Sequence, residues 1–286
     1  MPFFNSLKLS AALGAAVLAP LAAAAQTAPM PAADPLAGPT YADVVSLSES
    51  APLVIRAQIR KQTALKADRA PGLAPGFARL YIEAQTIALI AGRASVPALF
   101  AYVVDVPLDA KGKAPTLKKR EFLMFARPVA GRPGEVQLVA PAAHFAYTPE
   151  LEARLRPVLT EVYGGDLPPR VTGVSEALAV PGTLTGESET QIFLATENRA
   201  PVSITVLRRP GQRPQWGVSW GEIIDSAAVP PARETLRWYR LACALPAQLP
   251  SEANLARDPA ERRLAASDYA FVREALGPCE RRITRG

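Results

Sequence analysis

The chain has 286 residues, with 32 basic and 26 acidic side chains, a single histidine and two cysteines. Its 49% apolar fraction contains only 7% aromatics, so small side chains carry much of the burial, and this length can bury one large core or two modest ones. Charged residues at 20% with no long like-charged block exclude a disordered tail protein, and 29 prolines favour strands and turns over a helical bundle.

Residues 1–25 read as a secretory signal peptide. Lys8 supplies the charged n-region, an apolar run follows over 9–22, and Ala23-Ala24-Ala25 precedes Gln26 in the small-x-small pattern that a signal peptidase accepts. The run is short, alanine-rich and broken by Pro20, so it lacks the length of a stable membrane anchor. No cysteine follows it and no twin arginine precedes it. The mature chain is therefore expected in the periplasm or outside the cell. It should be soluble, with no membrane span after cleavage.

Residues 26–39 are small, proline-rich and unpatterned and read as a flexible leader. Thr40 with Asp43 three residues on predicts a capped helix to about Glu49. Leu53, Ile55, Ala57 and Ile59 then alternate with Val54, Arg56, Gln58 and Arg60, which is the period of a strand with one apolar face. After a turn at 70–76, further strands are expected over 77–91 and 96–106. A lysine-bearing loop spans 108–119, and strands at 120–127 and 135–139 follow, separated by a turn at 129–134. Five strands joined mainly by hairpins predict an antiparallel sheet curled into a small OB-like barrel. Thr148 before Pro149 opens a helix whose stripe is Leu151, Leu155, Val158, Leu159 and Val162, with Pro157 bending it and Gly164-Gly165 ending it.

A domain boundary is read at 165/166, giving a barrel domain over 40–165 and a second section over 166–286. That section should hold antiparallel strands near 171–180, 189–196, 202–209 and 215–224, then helices over 232–245 and from Asp258-Pro259 to Leu276. Cys243 and Cys279 form an even pair in an exported chain, which predicts one disulfide tying the two helices together. The predicted fold class is mainly β (α+β).

The order of short helix, five strands and helix resembles the OB-type barrel of netrin-like modules and tissue inhibitors of metalloproteinases. The likeness covers about 40–163 and rests on Ala42-Asp43-Val44-Val45, Leu53-Val54-Ile55-Arg56-Ala57 and Arg120-Glu121-Phe122-Leu123-Met124-Phe125-Ala126. The cysteines that staple those modules are missing, so no inhibitory residue carries over. The mature chain also resembles exported bacterial proteins of no assigned activity, through Gly186-Glu187 and Trp238-Tyr239-Arg240-Leu241-Ala242-Cys243. That resemblance implies a periplasmic location.

Several chemistries lack the residues they need. One histidine and two mutually paired cysteines leave no set of the usual zinc ligands. No Gly-x-Ser-x-Gly turn, Gly-x-Gly-x-x-Gly loop or Walker-type loop occurs, so no cofactor is expected. His144 is read as a structural or surface residue, since base catalysis needs partners the sequence does not offer. A carboxylate pair drawn from Asp166, Glu187, Glu189 and Glu222 could serve a glycosidase, although acids near hairpins are commonplace as solvated edges.

Basic residues gather at Arg56, Arg60, Lys61, Lys66 and Arg69 and again from Lys111 through Lys118, Lys119 and Arg120. With Tyr81, Phe100 and Tyr102 they could grip an anionic glycan or acidic partner, and export argues against nucleic acid. The plainer reading is a solvated face. Trp216 and Trp220 share a strand face with Val218 and offer either a sugar platform or core packing under a helix, of which core is the commoner fate. The leading expectation is a non-enzymatic binding or interaction module of the cell envelope, partnered by an envelope protein or glycan. The alternative is a carboxylate-dependent hydrolase of envelope glycans.

Overall fold

The computed structural model describes residue 1 and residues 38–92, 94–165, 167–221 and 228–283. Apart from Met1, Gly38 and Pro39, the segments read as signal peptide and leader lie outside those residues. Helix α1 (Tyr41–Ser50) opens on the expected cap. The Thr40 hydroxyl accepts from the Asp43 amide at 3.1 Å, and the Asp43 carboxylate accepts from the Thr40 amide at 3.1 Å. Two donors that a helix start leaves free are thereby satisfied. The same fully buried carboxylate accepts from the Arg282 and Ile283 amides at 3.0 and 3.1 Å, which ties the first helix to the far end of the described chain.

Strands β1 (Leu53–Ala64), β2 (Phe77–Gly92) and β3 (Leu99–Pro107) form an antiparallel meander. The alternate residues Ile55, Ala57 and Ile59, Leu80, Ile82 and Ala84, and Phe100, Tyr102, Val104 and Val106 are buried, as period two requires of a sheet with one inner face. β4 (Glu121–Val129) returns antiparallel to β1, and β5 (Arg132–Leu138) turns back on β4. The order β1-β2-β3-β5-β4, with β4 paired to β1, closes a five-stranded barrel.

One expectation fails here: the barrel is mixed, because β3 and β5 run parallel. Closure dictates this direction. β4 must oppose β1 and β5 must oppose β4, so β5 points the same way as β1 and β3. The sequence reading also missed β6 (His144–Ala146), a three-residue strand that pairs with β4. His144 is thus a strand residue, set back from the helix that follows.

Helix α2 (Pro149–Gly164) starts where Thr148 accepts from the Leu151 amide at 3.1 Å. It buries Leu155, Val158 and Leu159, and it stays helical through Pro157, which sits on the exposed face. Gly165 ends it with φ 92°, a left-handed conformation that favours glycine.

The second sheet is a four-stranded antiparallel meander: β7 (Val171–Pro181), β8 (Ser188–Thr196), β9 (Ser203–Arg208) and β10 (Gln215–Ser219). β10 ends at Ser219, so Trp220 lies just past the strand, and 222–224 of the expected range lie outside the described residues. Helix α3 (Leu236–Ala242) is shorter than read because Thr235 is its cap, accepting from the Trp238 amide at 3.2 Å. Helix α4 (Pro259–Leu276) has the expected bounds and packs on β7 and β8. The Cys243–Cys279 disulfide is formed, with its Cα atoms 5.1 Å apart. The molecule is mainly β with helices, and one cluster of buried apolar residues runs from α1 and the barrel into the second sheet, α3 and α4.

Candidate functional site

An extensive concave surface lies on the outside of the barrel, beside β3 and β5. The two strands meet at one register pair, Ala101 with Glu135. Beyond it the chain after β5 is drawn toward β4: the Val139 amide donates to the Phe125 carbonyl and the Phe125 amide to the Ala143 carbonyl, both at 3.0 Å. β3 therefore runs on from Tyr102 to Pro107 paired with β2 alone among the described residues. The resulting groove has a volume of about 540 Å³ and lies between 101–105 of β3 and the 136–141 stretch.

Its charges include one sequence-distant pair and one local pair. Arg79 donates from Nε and Nη2 to the two Asp105 carboxylate oxygens at 2.7 and 2.8 Å, a fork-to-fork contact across β2 and β3. The hydrogen bond to Asp105 raises the Arg79 pKa further above its ordinary value. Arg132 donates to Glu135 at 2.9 Å. Arg127, exposed at the groove wall, pairs with Gln137 through its backbone, and its side chain has no hydrogen-bond or ion-pair partner among the described residues. Tyr81 and Val103 face each other in register and are 37% and 42% exposed. Phe77 and Leu99 extend the same outward row, Leu99 with 66% of its surface exposed. Sequence reasoning passed over Arg79, Asp105 and Arg127. The available signal for Arg79 was parity: with Leu80, Ile82 and Ala84 inside, the odd-numbered residues of β2 had to face out, whereas Asp105 and Arg127 follow runs that are apolar at both parities.

The basic residues singled out from the sequence do not line this groove. Arg56 is bound to Glu121 at 2.7 Å and its guanidinium lies 3.7 Å from the centre of the Tyr147 ring. Arg60 donates to Gln58 at 3.1 Å and Lys61 pairs with Glu83 at 2.9 Å. Lys118 and Lys119 are exposed on a turn that docks on β1, the Lys119 amide donating to the Ile59 carbonyl at 2.8 Å. Phe100 and Tyr102, proposed as ligand-facing, are buried in the barrel, which leaves Tyr81 as the exposed member of that trio.

The other singled-out residues are scattered. Glu187 closes the 182–187 turn, accepting from the Leu184 amide at 3.3 Å, and Glu189 accepts from the Gln191 side chain at 2.6 Å. Asp166 and Glu222 lie outside the described residues. Trp216 and Trp220 are half-buried against the core, and the Arg237 guanidinium stands 5.8 Å from the Trp220 ring centre. Trp220 and Arg237 share a second cleft of about 390 Å³ with Glu161 of α2.

His144 stacks on Phe122 with ring centres 4.4 Å apart and planes 7° from parallel, and its Nδ1 is 3.2 Å from the Tyr102 hydroxyl. Burial, assisted by the nearby Arg120 charge, lowers its pKa from 6.5 to about 4. A neutral ring that fills space and shares one hydrogen bond with Tyr102 is a structural part of the barrel.

Among the described residues no group of three or more His, Cys, Asp or Glu side chains is placed to hold a metal ion, and no helix is long and apolar enough to cross a membrane. No family model matches the chain, and no curated protein matches it.

Proposed function

We propose that the protein is an exported binding module of the cell envelope that recognises a partner protein through the outer face of β2 and β3. The observation that carries this reading is the make-up of that face. Phe77, Tyr81, Leu99 and Val103 stand exposed around an Arg79–Asp105 pair that neutralises itself. An apolar, aromatic patch with its charges closed on one another has the composition of a protein–protein surface and projects little field toward a polyanion. Glu187 and Glu189 are engaged in local hydrogen bonds, which weakens the case for a hydrolase. Export is supported by the sequence of residues 1–25 and accords with a cystine, since disulfides persist in oxidising compartments.

The test is a photo-crosslinking amino acid at Leu99 in the full chain, expressed in a bacterial host and followed by fractionation. A mature N-terminus near Gln26 in the periplasmic fraction is expected. So is a discrete protein adduct that Tyr81→Asp abolishes and that is absent with the crosslinker at Gln215. A cytosolic, unprocessed chain, or adducts indifferent to position and to Tyr81→Asp, overturns the reading.

A further inference from the structure

We propose that the groove beside β3 accepts an extended acidic peptide segment, which adds to β3 as a strand. This rests on the interaction-module reading and names the chemistry of its ligand. The first support is the backbone. Successive residues of a strand direct their N–H and C=O groups to alternate sides, so half of those over 102–107 point away from β2. On that side β5 pairs with β3 at Ala101 alone. The stretch that would have continued the ladder, 137–141, makes no register pair with β3, and its Val139 N–H is bonded to Phe125 of β4. That side of 102–107 has no ladder partner among the described residues. An exposed strand edge is a template for another chain.

The second support is the space and its lining. A groove of about 540 Å³ lies within the range of clefts that hold small ligands, and this one follows the strand. An added strand would turn one row of side chains toward Tyr81 and Val103, both exposed and apolar over most of their surface. The third support is charge. Three guanidiniums, Arg79, Arg127 and Arg132, meet two carboxylates, Asp105 and Glu135. Arg79 and Arg132 are paired, so Arg127 is the cation left over for the ligand. A peptide alternating apolar and acidic side chains meets all three conditions, whereas a basic one leaves Arg127 opposed by like charge.

The experiment is selection of displayed random octapeptides on the disulfide-intact mature chain. Enrichment of sequences with an acid inside an alternating apolar run is expected. A synthetic copy of a recovered peptide should slow hydrogen exchange at amides within 102–106. It should bind Arg127→Glu at least tenfold more weakly and lose binding when its alternate amides are N-methylated. Absence of enrichment, equal affinity for Arg127→Glu, or protection confined to other strands overturns the proposal. If Leu99 still yields its partner adduct when these tests fail, strand addition alone is refuted. If both fail, the interaction reading falls as well.

Discussion

The barrel and the second sheet begin from the same local pattern of alternating strands and short turns, yet they are held by different forces. In the barrel every strand turns a row of side chains inward against the rows of the others. β4 is buried at all five positions from Phe122 to Ala126, because it has the barrel interior on one face and further chain on the other. The second sheet is open. Helix α4 covers one face, while Leu178, Val180 and Phe193 are left largely exposed.

With fewer apolar partners, the second region fixes its helices by directional bonds. The fully buried Asp268 of α4 takes hydrogen bonds from Thr190 of β8 and Arg208 of β9, both at 2.5 Å. Arg240 of α3 is bound to Glu49 of α1, with both side chains nearly inaccessible. A cystine ties α3 to the residues after α4. Closure lets non-directional burial specify a structure. A one-sided sheet needs polar clamps, which confer little net stability but are costly to break singly.

The largest expected effect is therefore an apolar one in the barrel. Phe125, 2% exposed, packs edge-on against Phe145 with ring centres 6.0 Å apart. Phe125→Ala should cost about 4 to 5 kcal/mol in urea unfolding. Phe193→Ala, on a side chain already 37% exposed, should cost about 1 kcal/mol or less. Equal losses at the two sites would break the contrast. Next comes the staple. Cys243→Ser opens a bridge of sequence separation 36, which the chain-entropy account places at about 3 to 4 kcal/mol. The melting temperature should fall, and reductant should have no further effect on the variant. An unchanged melting point would mean that the polar clamps hold the helices by themselves.

The same contrast explains what the sequence could show. Helix α4 was legible to the residue because its signals are local: Asp258 accepts from the Ala260 and Glu261 amides, and Gly277 stops the helix. The β1 strand was legible from Leu53, Ile55, Ala57 and Ile59. The faces of β3 were not, because Leu99-Phe100-Ala101-Tyr102-Val103-Val104 is apolar at both parities. Only packing decides that Phe100 and Tyr102 go in while Leu99 and Val103 stay out. The parallel β3–β5 neighbours and the groove beside them depend on ring closure and on the detour of 139–143, neither of which leaves a local pattern. β6, at three residues, is too short for periodicity to register.

A smaller effect separates the regions by pH. His144 is the chain's one histidine, and it belongs to the barrel. Its folded pKa of about 4 lies below the ordinary 6.5, so between those values the unfolded chain binds a proton that the folded one does not. Stability contributed here is complete above pH 6.5 and is lost as the pH falls toward 4, by up to about 3 kcal/mol. His144→Phe should preserve the stack on Phe122 and flatten that part of the profile. Urea midpoints at pH 7, 5.5 and 4 for both proteins would measure the difference. Parallel profiles would show that the ring is hydrated and protonates freely.

The smallest effect is one in which the two regions should agree. Lys119, on the turn that docks against β1, has φ 67°, and Arg199, between β8 and β9, has φ 59°. Both hold a left-handed conformation that an L side chain adopts at a cost of about 1 kcal/mol, whereas glycine adopts it freely. Both side chains are exposed, so little packing is lost on truncation. Glycine also enlarges the unfolded ensemble, which offsets part of the gain. Lys119→Gly and Arg199→Gly should each raise stability by about 0.5 kcal/mol, measured as a shift in urea midpoint. Backbone strain at a tight turn is independent of whether the strands beside it close into a ring. A gain at Arg199 with a loss at Lys119 would mean that the barrel turn draws on its lysine side chain, which would return the 118–120 segment to consideration as a binding element.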